Sequence, residues 1–246
     1  MARMSEKIYL ASATAFVASS AVLATLGRPP MPVVPPLTFE TLPDGMMGPL
    51  ADLPMATLPQ LYIQPQNAVM WLLLVVLWLL LLADAVGQYL DPSDQNRVWP
   101  PLSLALLTAA IWPWLVGIST TAAMIGAMLM LAASLTAAVR ARGQRRPGPG
   151  FMAGWSLTLG TATLATLATE PIGLSTSQTA IVAILPSALI GMFAQEWLGR
   201  SITFAVATIW AFCAVAVTTM GTSPGVALAA IIGISGMGVV LVRAAT

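Results

Sequence analysis

Histidine is missing altogether from these 246 residues, cysteine occurs once, at position 213, and Asp, Glu, Lys and Arg together make up only 8% of the chain. Each shortage closes off a kind of chemistry. A single cysteine forms no internal disulfide. Without histidine there is no Cys/His zinc site, no Ser-His-Asp triad and no tetrapyrrole held by a histidine ligand. No Walker loop, no GxGxxG after a strand and no HExxH occurs either. So little titratable equipment points away from an enzyme. The net charge is +1, and no basic cluster is large enough to suggest nucleic acid as a partner.

What the chain has instead is apolar bulk. Hydrophobic residues make up 58% of it, and mean hydropathy is +0.86. Soluble domains carry roughly 25% charged residues, so this chain cannot present water-facing groups all round. It reads as an all-α integral membrane bundle whose first partner is the lipid bilayer. A helix needs about 20 mainly apolar residues to span. Eight segments qualify: about 8–27, 68–90, 98–118, 120–139, 151–169, 177–196, 202–220 and 225–243. Val22-Leu23-Ala24 is a weak signal-peptidase site, but the first segment is expected to be a retained helix.

Cationic residues sort by side under that count. Cytoplasmic loops collect Lys and Arg. With the N-terminus inside, Arg3, Lys7, Arg97, Arg140, Arg142, Arg145, Arg146, Arg200 and Arg243 all fall on the inner face, and only Arg28 falls outside. Dropping one span would transfer every later arginine to the other face. The expectation is an inner (cytoplasmic) membrane protein with both termini cytoplasmic and segment 28–67 periplasmic, its 246 residues forming one transmembrane domain.

Two connections are long. RARGQRRPGPG, 140–150, reads as a basic topology anchor, with a lipid-phosphate site as the alternative. Segment 28–67 holds ten of the nineteen prolines yet keeps many Leu, Met and Val. Proline favours extended, non-helical paths, while disorder goes with low hydrophobicity. This loop is expected to lie over the outer mouth of the bundle, as a lid or a docking surface.

Charge is scarce inside the spans. Asp84, Glu170 and Glu196 all sit near helix ends rather than midpoints, which disfavours an ion or proton path. Asp84 is expected to snorkel or to bond between helices. Small residues at spacing four, Gly225, Ala229 and Gly233 in the last span and Ala122 and Gly126 in the fourth, make close-packing faces, within the chain or against another subunit.

The third span, RVWPPLSLALLTAAIWPWLVGIS, contains Trp112-Pro113-Trp114. Tryptophans at both interfaces form an aromatic belt, which accounts for Trp99. Trp112 and Trp114 project about 200° apart on a helix, so one faces protein. Pro113 frees the carbonyl of Ala109 and can bend the helix, a way of shaping a cavity.

At this point the chain resembles the tryptophan-rich sensory proteins, the TspO/MBR family, in their longer form. AAIWPWLVG, 109–117, is similar to the tryptophan signature of their third helix. QPQNAVMWLLLVVLWLLLLADAVGQ, 64–88, is similar to their second, and PGFMAGWSLTLGTATLATL, 149–167, to the Gly-Trp helix. SITFAVATIWAFCAVAV, 201–217, resembles a Trp-Ala segment of the long members. The resemblance implies a five-helix core over 1–169 with three further helices over 170–246. It also implies regulatory or sensory binding of a tetrapyrrole or other apolar ligand. Carried over by position, the pocket is Pro65, Asn67, Trp71, Trp112, Trp114 and Trp155 beneath segment 28–67. Flat indoles suit a macrocycle by stacking, without histidine ligation. Ala110 or Ile111 and Thr163 stand where the family has asparagine, so the pocket keeps few polar groups. That loss also motivates a second expectation, a non-catalytic accessory subunit of a photosynthetic or respiratory complex, as a homodimer or in a larger assembly. A facilitator of an uncharged solute is a third.

Overall fold

A computed structural model of the chain describes residues 2–27, 57–90, 98–116, 119–144, 146–199 and 201–245. Most of the expected lid, 28–56, lies outside the described residues, as do Arg28, Arg97, Arg145 and Arg200. Within them the chain forms α1 (Ala2–Leu26), α2 (Leu58–Ile63), α3 (Ala68–Leu90), α4 (Trp99–Val116) and α5 (Thr120–Arg140). There follow α6 (Pro147–Thr169), a 3-10 turn at Glu170–Ile172, α7 (Thr176–Leu198), α8 (Ile202–Thr219) and α9 (Pro224–Ala245). The described residues contain no strand.

Seven helices among the described residues are long and apolar enough to cross a membrane: α1, α3 and α5 to α9. The helical membrane bundle is therefore present. The expected span 98–118 exists as the 18-residue helix α4 but falls outside that seven. At 1.5 Å per residue it is about 27 Å long, close to the hydrocarbon thickness. α6 begins four residues before the expected span, because Pro147 and Pro149 sit in its first turn, where backbone N–H groups lack helical partners anyway. α2 was not anticipated; six residues make a weak helix by themselves, and this one depends on docking.

The first five long helices close a ring. α1 packs on α4, α4 on α5, α5 on α6, α6 on α3 and α3 back on α1. α7, α8 and α9 pack on one another and lean on the ring through α6, with α8 also touching α3. α6 is thus shared, and 72% of its apolar window is buried against 28–56% in the other candidate spans. Its sequence suits that place. Small residues let neighbours approach from several sides. Thr161, Thr163, Thr166 and Thr169 donate their hydroxyls to carbonyls four residues back, at Leu157, Leu159, Ala162 and Ala165. The threonines therefore satisfy themselves without water.

The small-residue faces are used within the chain. A Cβ at Gly233 would lie 3.0 Å from the Phe212 ring of α8 and 3.4 Å from Ala188 of α7, and one at Gly225 would touch Ile181 of α7. Ala229 is buried between them in sequence. Gly126 of α5 faces the Trp112 ring at 3.1 Å. Likewise α1 is part of the bundle, with Tyr9, Ala13 and Phe16 fully buried.

Candidate functional site

Four indoles act as ties between elements. Trp78 of α3 donates to Ser20 of α1 at 3.1 Å, and Trp210 of α8 donates to the Val69 carbonyl of α3 at 3.1 Å. Trp112 of α4 donates to the Ala123 carbonyl of α5 at 2.9 Å. Trp114 donates to Ser19 of α1 at 3.2 Å, and Ser19 in turn donates to the Ala110 carbonyl at 2.7 Å. In an apolar medium every N–H must find an acceptor, so these bonds fix helix register.

Trp155 breaks the pattern. It lies eight residues into α6, about 12 Å along the axis, and is 3% exposed, yet its indole N–H has no acceptor among the described residues. Phe16 of α1 meets it edge-on, with ring centroids 5.7 Å apart and planes at 66°. One turn further along, the Thr158 hydroxyl donates to the Trp155 carbonyl at 2.9 Å, with the Tyr62 phenol of α2 close by. Tyr62 is 1% exposed, and burial raises its phenol well above the ordinary value, keeping it neutral. α2 is therefore a plug whose tyrosine reaches the middle of α6, packing against α6, α1 and α8.

The six residues expected to line one pocket take up different places. Pro65 is buried in the link from α2 to α3. Asn67 caps α3, its Oδ1 accepting from the Met70 N–H at 2.8 Å. Its Nδ2 donates to the Ala214 carbonyl at 3.1 Å and the Thr218 hydroxyl at 2.6 Å, both on α8. Trp71 is half-buried on the first turn of α3. Trp112 is buried in the α4–α5 seam, and Trp114 is 53% exposed beside α1. Of the set, Trp155 packs edge-on against Phe16, and its carbonyl accepts from Thr158. Sequence reading missed Phe16 and Tyr62; the Tyr62-Ile63-Gln64-Pro65 stretch before α3 carried the only signal. The Thr163 hydroxyl leaves no free donor at that position, since it donates to the Leu159 carbonyl at 2.8 Å.

Trp112→Phe removes one hydrogen bond and part of a buried ring. The expected cost is about 1–3 kcal/mol, seen as a lower melting temperature of purified protein in one fixed detergent. A melting temperature equal to that of the unaltered protein would contradict this tie.

Chemically, the Trp155 cluster offers aromatic edges and, among the described residues, one donor without an acceptor. Among the described residues no three His, Cys, Asp or Glu side chains gather. No family model, no curated protein and no solved structure matches this chain.

The other polar centre lies at the opposite end of α3. Arg146 donates from Nε to Asp84 Oδ1 at 2.8 Å and from Nη2 to Oδ2 at 2.6 Å, and Nη2 also reaches Gln88 at 2.9 Å. The Tyr9 hydroxyl donates to the same carboxylate. Asp84 is thus an interhelical bond, not a snorkelling charge, and Arg146 is its partner rather than a free anchor. Burial alone pulls the guanidinium down, but the bonds and charge of Asp84 hold it above its ordinary value.

Proposed function

We propose that the protein is a non-catalytic, TspO/MBR-like membrane protein that binds an apolar ligand carrying a hydrogen-bond acceptor, of the size and flatness of a tetrapyrrole. Eight spans, with α4 as one of them and both termini cytoplasmic, go with this reading. The single observation that carries it is the buried indole N–H of Trp155, which finds no acceptor among the described residues and packs against the Phe16 ring. An unmet donor in an apolar interior costs about 1–3 kcal/mol, and a ligand acceptor would remove that cost. The motif order across about 64–243 supports the family side of the reading. Tyr62 and Leu61 fill the space beside α6, so a macrocycle enters as α2 withdraws. A plug of six residues held by packing suits that exchange. The accessory-subunit alternative loses the small-residue face of α9 as support, because α7 and α8 already occupy it.

The test is a titration of purified full-length protein with protoporphyrin, read by tryptophan fluorescence. Saturable quenching is expected, with Trp155→Phe weakening affinity about twofold to tenfold through loss of one hydrogen bond. Linear, non-saturating quenching would remove the proposal. Trp112→Phe, which alters a seam without Phe16 or Tyr62, should leave the affinity unchanged.

A further inference from the structure

A cavity lies at the arginine-bearing end of the bundle, its Gly150 wall about 8–12 Å along α6 from Trp155 and Thr158. It is an open cleft of about 480 Å³ between the end of α5, the start of α6, the end of α7 and the start of α8. Small-ligand sites occupy roughly 300–1,000 Å³. Arg142 and Arg146 line it, together with Gln144, Gly150, Ser201 and Thr203.

Three features give it a chemical preference. Arg146 is held in the wall by its two bonds to Asp84, so its charge is locally offset, while Arg142 contributes an exposed cation with no acidic partner among the described residues. Gly150 lets two hydroxyl side chains close in on the first turn of α6. A Cβ there would collide with the Thr203 hydroxyl and lie 2.8 Å from Ser201 Oγ. Finally, Ser201 stands at the N-cap of α8 without a capping bond from its side chain. The first N–H groups of that helix are thus left without this cap, at the positive end of its dipole. The Gln195 amide fixes the turn by donating to the Gly199 and Ser201 carbonyls at 2.7 and 3.2 Å. A planar guanidinium, hydroxyl donors and an uncapped helix start together match phosphate oxygens.

We infer that this cleft binds a phosphate ester, with Arg142 and the Ser201 and Thr203 hydroxyls on the phosphate. The volume is several times that of a bare phosphate, so the group arrives on a larger polar body. A glycerophosphate headgroup of a membrane lipid and a soluble phosphate ester share this chemistry. Basic pockets between membrane helices are known to take anionic headgroups.

The test uses full-length protein purified in a neutral detergent. Native mass spectrometry would measure retention of added phosphatidylglycerol against phosphatidylcholine, and calorimetry would measure binding of glycerol 3-phosphate. Preferential one-to-one retention of phosphatidylglycerol without glycerol 3-phosphate binding identifies a lipid headgroup; saturable binding of glycerol 3-phosphate identifies a soluble ester. In either arm Arg142→Gln, at an exposed position that does not threaten folding, should weaken binding about tenfold. Lys7→Gln removes an exposed cation outside the cleft and should change nothing. Equal retention of both lipids with no glycerol 3-phosphate binding overturns the inference. So does an equal loss in Lys7→Gln and Arg142→Gln, which would mean unspecific attraction.

Discussion

Replacing Asp84 with alanine is expected to destabilise the protein by about 3–5 kcal/mol. The carboxylate side chain is 5% exposed and Arg146 18% exposed, so the change leaves a guanidinium largely out of water without its counter-charge. It also strands the Tyr9 hydroxyl, which donates to the same group. The pair joins α1, α3 and the entry to α6, so its loss loosens three elements at once. Gly148 shows how tight that junction is: a Cβ there would lie 3.2 Å from Asp84 Cβ and 3.3 Å from the Leu80 carbonyl. The start of α6 also favours a nearby carboxylate through its dipole. A double variant, Asp84→Leu with Arg146→Met, should recover most of the loss, since removing both charges leaves neither uncompensated. Thermal unfolding of the full chain in one detergent reads both effects. A single variant within about 0.5 kcal/mol of the unaltered protein, the size of an ordinary surface change, would mean that the pair holds nothing.

The second large effect is expected at Gly154, next to Trp155. A Cβ on residue 154 would stand 2.5 Å from the Phe204 carbonyl oxygen, 2.8 Å from Ala207 Cβ and 3.0 Å from Thr208 Oγ1, all on α8. Two of these are fixed by the backbone, so α6 and α8 must move apart. Overpacking of this kind costs about 1–3 kcal/mol, against a gain of roughly 1 kcal/mol in helix propensity over glycine. Gly154→Ala should therefore be less stable than the unaltered protein, and Gly154→Val much less. Gly87→Ala supplies the contrast. No described residue lies within 4 Å of a Cβ there, so the propensity gain is realised and stability should rise by about 0.5–1 kcal/mol. If Gly154→Ala and Gly87→Ala shift the melting temperature alike, the close crossing of α6 and α8 is not what the chain requires of Gly154.

Helix placement was legible. The expected span 68–90 coincides with α3, and 202–220 ends one residue beyond α8. The misses have local causes. α6 starts early because prolines fit its first turn, and α2 escaped because six residues carry no span-length signal. At the candidate site the Gly-Trp motif pointed to Trp155, but nothing in its spacing separated that indole from Trp112 or Trp114. Asn67 was expected in a pocket and is instead a helix cap bonded to α8, a role its sequence neighbours do not announce because its partners Ala214 and Thr218 lie some 150 residues away.

By composition alone the chain is committed to lipid, to helices and to chemistry without histidine, because each of these depends on residue type or on hydropathy over one span-length window. Which side of each helix turns inward was decided only by tertiary packing. In water an apolar stripe marks the core, but in a bilayer the lipid-facing side is apolar too, so periodicity carries no such mark. That is why the central position of α6, the Asp84–Arg146 pair and the buried indole of Trp155 emerge only when the helices are assembled.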